Sequence, residues 1–246
     1  MNKVKVMGIV NVTPDSFSDG GKFYKPEEAV RRAMNLIEDG ADIIDIGGES
    51  TRPGSTPISW EDEWSRIEPV LKQIVGALDM RRGRSPRPTD AVIVSVDTYH
   101  PETAERAVAM GVKLINCVYA EPIAEMVKLL EGNDVELVMP VSALSTKHQA
   151  LSTRIYIDPM IGFGTTREED IELLRSTPEL AKKGRVLIGA SRKRIVKKLT
   201  GEKTPGKDIA GNLAIVMYAA MNGASAVRVH DVKETVQALR VLEQIS

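Results

Sequence analysis

A chain of 246 residues that is 42% hydrophobic suits one large domain, and α/β barrels of this length are routine. Its formal net charge of -1 supplies no global field to draw in nucleic acid or a membrane surface, and no apolar run approaches the roughly 20 residues of a membrane span. A single cysteine, Cys117, excludes an intrachain disulfide framework and points to a reducing cytoplasm, and three histidines beside it make a dedicated zinc site unexpected. The first predicted element is an apolar strand over about 3–10, entered too early to leave room for a signal peptide. That strand empties into NVTPDSFSDGG, a polar loop that begins at Asn11 and carries Thr13, Asp15, Ser16, Ser18 and Asp19.

A unit then recurs along the chain: amphipathic helix, glycine, two or three residues, buried strand. Gly40, Gly111, Gly132, Gly184 and Gly223 each stand just before a strand, where glycine supplies the left-handed helix cap. The predicted strands lie at about 3–10, 41–46, 91–97, 112–117, 134–139, 154–158, 185–190 and 224–229. Near-continuous Val, Ile and Leu runs alternating with helices predict a parallel sheet, and eight such units predict a single (β/α)8 TIM barrel spanning 1–246. Ser59 is the predicted cap of the helix carrying Trp60, Trp64, Ile67, Leu71 and Ile74. Met80 to Thr89, with its four arginines, reads as a solvated linker on the N-terminal side of the barrel. Between strands five and six only Pro140 to Thr153 is available, too little for a full crossover helix, so the fifth helix is expected to be short or missing. The helix over Gly206 to Met221 is rich in alanine and methionine, which either a homodimer face or a well-buried outer helix explains.

The carboxyl ends of barrel strands build the mouth where ligands bind. Strand one delivers Asn11 there, and strand two runs into GGESTRPGS with Thr51, Arg52 and Pro53 on a loop suited to a lid. The third strand ends at Asp97, the fourth at Asn116 and the fifth at Met139, while Asp158 and Phe163 follow the sixth. Strand seven presents Ser191 and Lys193, and strand eight Arg228 and His230. Singly these have structural explanations as caps and charged turns. Together they form a ligand site, divided by charge. Asp97, Asn116 and Asp158 offer acceptors for a flat, N–H-rich heterocycle; Asn11, Arg228 and His230 suit a phosphate or pyrophosphate.

With those residues in view, the sequence resembles the dihydropteroate synthase family of pterin-binding barrels. The resemblance rests on NVTPDSFSDGG, DIGGESTRPGS, SVDT, Ile115–Asn116, Asp158–Pro159 with GFG, SRKR and RVHDV, in order from residue 7 to 232. It implies the joining of 6-hydroxymethyl-7,8-dihydropterin pyrophosphate to p-aminobenzoate, or a related aminobenzene, with release of pyrophosphate. By the same resemblance Asp97, Asn116, Asp158 and Lys193 hold the pterin, with Met139 packed against it, and Asp97, Asp158, Lys193 and Arg228 carry the chemistry. Asn11, Arg228 and His230 then hold the pyrophosphate, Asn11 through a magnesium ion. Thr51, Arg52, Pro53, Phe163 and Lys193 form the aminobenzoate side. Small-molecule substrates, no nucleic acid and no membrane complete the expectation. Three departures from the family pattern stand out: MPVSALSTKHQALST after strand five, Cys117 in place of an acidic residue, and Met160 in place of a glycine. Methyl transfer from a methylpterin to a corrinoid protein, and a degenerate pterin-binding protein, are the alternative readings.

Overall fold

Runs of Val, Ile and Leu with no polar face are stable only when both sides are covered, and this chain achieves that by closing a parallel sheet on itself. The structure, a computed structural model, describes residues 3–13, 26–50, 55–81, 92–204 and 206–246. Its strands are β1 (Lys5–Asn11), β2 (Ile43–Gly47), β3 (Ile93–Asp97), β4 (Leu114–Asn116), β5 (Glu136–Pro140), β6 (Ile155–Asp158), β7 (Arg185–Ile188) and β8 (Ala226–Val229). All pair in parallel, each with its neighbour in sequence, and β8 pairs with β1 to close the barrel. The predicted eight-stranded barrel is therefore the fold, with every strand within a few residues of its expected place.

Strand alternation explains where the site lies. Inside the barrel, Met7, Ile43, Leu114, Val138, Tyr156, Leu187 and Ala226 pack into a fully buried apolar floor. Two residues further along, the inward positions change character: Asp45, Ser95, Asn116, Asp158 and Arg228 stand on that floor, facing the carboxyl end. Outward positions such as Ile44, Ile46, Val94, Val96, Ile115 and Ile157 pack instead against the helices.

Between β1 and β3 the helices are α1 (Pro26–Asp39) and α2 (Trp60–Arg81). Ser59 caps α2, its Oγ accepting the Asp62 N–H at 3.2 Å. Two shorter helices follow, α3 (Pro101–Ala109) and α4 (Ile123–Lys128). Between β5 and β6 two 3-10 segments, Val141–Ala143 and Thr146–Leu151, replace the usual helix, as the spacing predicted. Beyond β6 the strict alternation expected from sequence gives way to pairs: α5 (Arg167–Arg175) with α6 (Thr177–Ala181), then α7 (Arg194–Thr200) with α8 (Ile209–Met221). The chain ends in α9 (Val232–Ile245). The polar loop after Thr13, the Thr51–Gly54 segment and most of Met80–Thr89 lie outside the described residues.

Candidate active site

Arg228 is the hub of the mouth. Its Nε donates to Asp45 Oδ2 and its Nη2 to Asp97 Oδ2, both at 2.6 Å. Asp45 is completely buried and also takes the Ser95 hydroxyl at 2.6 Å and the Asn116 Nδ2 amide at 3.0 Å. Four strands are thereby cross-linked through one carboxylate and one guanidinium. With its N–H2 committed to Asp45, Asn116 keeps its amide oxygen buried and without a partner among the described residues. A buried, unsatisfied acceptor costs stability unless a ligand donor meets it.

The other half of the mouth is built by the loop after β6. The Asp158 carboxylate accepts the Met160 N–H at 2.7 Å, closing a tight turn that puts Met160 at a φ of 69°. Gly162, at a φ of 78°, is held by its N–H donating to Asp170 Oδ1 at 2.7 Å. A side chain there would meet Lys193 Cδ at 3.0 Å, so the glycine makes room for the lysine. Lys193 donates to the Ile161 carbonyl at 2.7 Å, and its Nζ lies 4.4 Å from the centre of the Phe163 ring. Across the mouth Gly47 borders Asp97, where a Cβ would sit at an ordinary contact distance of 3.4 Å from Asp97 Cβ.

Burial sets the ionisation of these groups. It lifts Asp97 to about 7, against the pull of Arg228 and with the help of Asp45. Burial also raises Asp158, opposed first by Lys193. Lys193 itself is brought down to about 8 by burial, with Asp158 resisting. Burial works against the Arg228 charge too, but Asp45 and Asp97 more than offset it and hold the guanidinium protonated. Three carboxylates facing two cations leave one excess negative charge when all are ionised.

Of the residues expected at the mouth, Asp97, Asn116, Asp158, Lys193, Arg228 and Phe163 come together as described. Asn11 ends β1 opposite Gly47, half-buried. His230 follows β8, its Nδ1 3.1 Å from Ser191 Oγ. Met139 stands apart: it is fully buried on the outer side of β5, in the helix-facing layer, because Val138 takes the inward position. Thr51, Arg52 and Pro53 lie outside the described residues. Cys117 is a buried thiol whose sulfur donates to the Tyr119 carbonyl at 3.3 Å and which burial pushes up to about 12, so it is inert at neutral pH. Asp45 escaped the sequence reading because it sits inside the apolar strand DIIDI. A carboxylate in a strand buried on both faces, though, needs a cation, and that demand was the available signal.

Beside the mouth a second polar cluster fastens the ends of β2 and β3 to α2. Thr98 Oγ1 donates to Glu63 Oε2 at 2.6 Å, and Tyr99 donates to Glu49 Oε1 at 2.9 Å. Burial raises Glu63 to about 7.

In sequence and in fold the chain is similar to known proteins. The chain matches the family model described as pterin binding enzyme over residues 7–152 and 141–230. It is 37% identical to a dihydropteroate synthase of Staphylococcus haemolyticus, over 99% of this chain and 95% of the relative. The dihydropteroate synthase of Neisseria meningitidis serogroup B is also 37% identical, over 100% and 94%. Among solved structures, Xanthomonas albilineans dihydropteroate synthase with 4-aminobenzoic acid superposes with a TM-score of 0.83 at 36% identity, covering 99% of this chain and 93% of that one. The Anaplasma phagocytophilum enzyme with bound 6-hydroxymethylpterin-monophosphate gives 0.82 at 31% identity, covering 99% of both chains.

Proposed function

We propose how this chain, which belongs to the dihydropteroate synthase family of pterin-binding enzymes, divides its labour among its own residues. It is a transferase of folate biosynthesis, joining 6-hydroxymethyl-7,8-dihydropterin pyrophosphate to p-aminobenzoate with release of pyrophosphate. The observation that carries the residue assignment is the unpaired, buried Asn116 oxygen set between Asp97 and Asp158. Those three acceptors fit the N–H edge of a pterin, and Lys193 supplies a donor to its ring acceptors.

Asp97 and Asp158 act as catalytic residues by stabilising the positive charge that spreads into the dihydropterin ring when the C–O bond to pyrophosphate breaks. The amine lone pair of p-aminobenzoate then forms the new C–N bond, and its proton leaves to solvent. Arg228, held by two carboxylates, contributes its charge from the floor of the site, while His230 with Ser191 and Asn11 receive the diphosphate. Phe163 and Lys193 border the aminobenzoate side, to which the family resemblance also assigns Thr51, Arg52 and Pro53, outside the described residues. Among the described residues no three His, Cys, Asp or Glu side chains could hold a metal, so an all-protein cage forms no part of the proposal. Asn11 would offer one hard amide oxygen to a magnesium ion, which would supply charge neutralisation of the leaving group.

A homodimer is part of the same reading. Exposed Leu199 on α7 and Tyr218 on α8 line an apolar dent of about 250 Å³, and α8 ends in exposed Met221. A cytoplasmic location fits the lone buried thiol, and among the described residues no helix is long and apolar enough to cross a membrane. Pyrophosphate release from the pterin diphosphate is the test of function, run with and without p-aminobenzoate and magnesium. Release that requires the aminobenzoate supports condensation; release or methyl transfer independent of it contradicts the reading.

A further inference from the structure

We propose that Asp45, buried beneath the mouth, is the positioning residue that fixes Asn116 as an acceptor and gives the site its excess negative charge. The inference rests on the pterin reading of the mouth and goes beyond it, since Asp45 is not among the groups assigned to the pterin: it is completely buried and bonded to Asn116 and Arg228. Three donors converge on this carboxylate, and they are unequally shared: Ser95 takes Oδ1, while Asn116 Nδ2 and Arg228 Nε both take Oδ2. The two contacts on Oδ2 each have a consequence at the ligand. Because the Asn116 N–H2 is committed downward, its oxygen is the atom left unpaired. Were the amide to turn, the site would present a donor to a donor. Because Arg228 Nε is committed, its Nη2 reaches Asp97 at 2.6 Å and pins the carboxylate that faces it.

Asp45 also acts through its charge. Without Asp45 the mouth would balance, with Asp97 and Asp158 against Lys193 and Arg228. Asp45 adds one negative charge within the same water-poor enclosure, where a developing ring cation is stabilised most strongly. It also bears on Asp97, which faces Arg228 on β8, Asp45 on β2, Lys193 after β7 and Asp158 on β6, with Glu63 on α2 and Cys117 after β4 also within its field. Of these, Asp45 and Asp158 favour the protonated form of Asp97, and Arg228 and Lys193 the ionised form.

The geometry offers a substitution that separates the two roles. In Asp45→Asn, an amide oxygen at the Oδ2 position keeps both the Asn116 and Arg228 contacts. The amide N–H2 faces Ser95, whose hydroxyl turns to accept. Hydrogen bonds persist and only the charge goes. Asp45→Ala removes both. The experiment measures 6-hydroxymethylpterin affinity by calorimetry, together with kcat from pyrophosphate release across pH. For Asp45→Asn the expected result is affinity within about threefold of the parent and kcat lower by on the order of a hundredfold, the usual effect of losing one preorganised charge. Its acid limb should move to lower pH as Asp97 ionises more readily. Asp45→Ala should additionally lose pterin affinity by more than about tenfold, the scale of one misdirected hydrogen bond to a buried group.

Parent-like kcat with an unmoved acid limb in Asp45→Asn overturns the charge role. Pterin affinity as poor in Asp45→Asn as in Asp45→Ala overturns the orientation role. Should Asp45→Ala fail to fold, Asp45→Asn alone still decides, because more than tenfold loss of its pterin affinity contradicts the retained geometry. A parent protein that binds no pterin condemns the underlying reading instead, and is told apart by that control.

Discussion

Asp97 and Lys193 must be oppositely charged for the site to work, and burial brings their ionisations close together. Asp97 is ionised above about 7, and Lys193 is protonated below about 8. Activity should therefore follow a narrow bell with its top between those values. Lys193→Arg should extend the alkaline side beyond pH 9, since a guanidinium stays charged there. A pH profile of kcat/KM unchanged by that substitution would contradict the assignment.

Glu63 makes a matching prediction for stability. Its folded value is raised above the ordinary 4.5, to about 7, so the folded state holds the proton that the unfolded state releases. Stability from this group is fully present below 4.5 and is lost as pH rises through 7. The span corresponds to roughly 3 kcal/mol. Denaturant titrations at pH 5 and pH 8 should show Glu63→Gln losing that dependence, and an unaltered difference between the two pH values would refute it. Met160 adds a smaller effect. A left-handed φ strains a side chain but not a glycine, so Met160→Gly should raise stability by about 1 kcal/mol, measured in the same titrations. At this scale the sequence was legible wherever a polar residue ended a strand, as Asp97, Asn116, Asp158 and Arg228 did. It was not legible at Asp45, whose surroundings read as core, nor at Met139, whose facing depends on which strand residue turns inward.

Among the elements, the loop between β6 and α5 does the most to shape the mouth. Gly162 is fastened to Asp170 and bordered by Lys193, and the capping box of Thr166 and Glu169 starts α5 immediately beyond. Gly162→Ala combines a strained φ with a 3.0 Å contact on the lysine. It should cost about 1 kcal/mol of stability and weaken pterin affinity by about tenfold through displacement of Lys193. Unchanged affinity with lowered stability would mean that the loop is only structural. The strands were legible because glycine followed by a Val- and Ile-rich run has few other solutions. Helices such as α6 and α7 were not, being too short for a periodic pattern to emerge. The absent fifth helix was readable as simple arithmetic on Pro140 to Thr153.

Across the whole molecule, an apolar floor with a polar layer two residues above it turns a strand pattern into a binding site. The outer surface carries the remaining expectation. Met221, 68% exposed, sits with Tyr218 at the end of α8, and the double substitution Tyr218→Glu with Met221→Glu should convert a dimer to monomer in sedimentation velocity. A parent that sediments as a monomer would remove that expectation without touching the site.

If buried acceptors gathered from separate strands grip one pterin, removing one of them must loosen it. Calorimetric titration of 6-hydroxymethylpterin should then show saturable one-to-one binding by the parent. Asp158→Asn should bind at least about hundredfold more weakly; equal binding by the two proteins would contradict this arrangement.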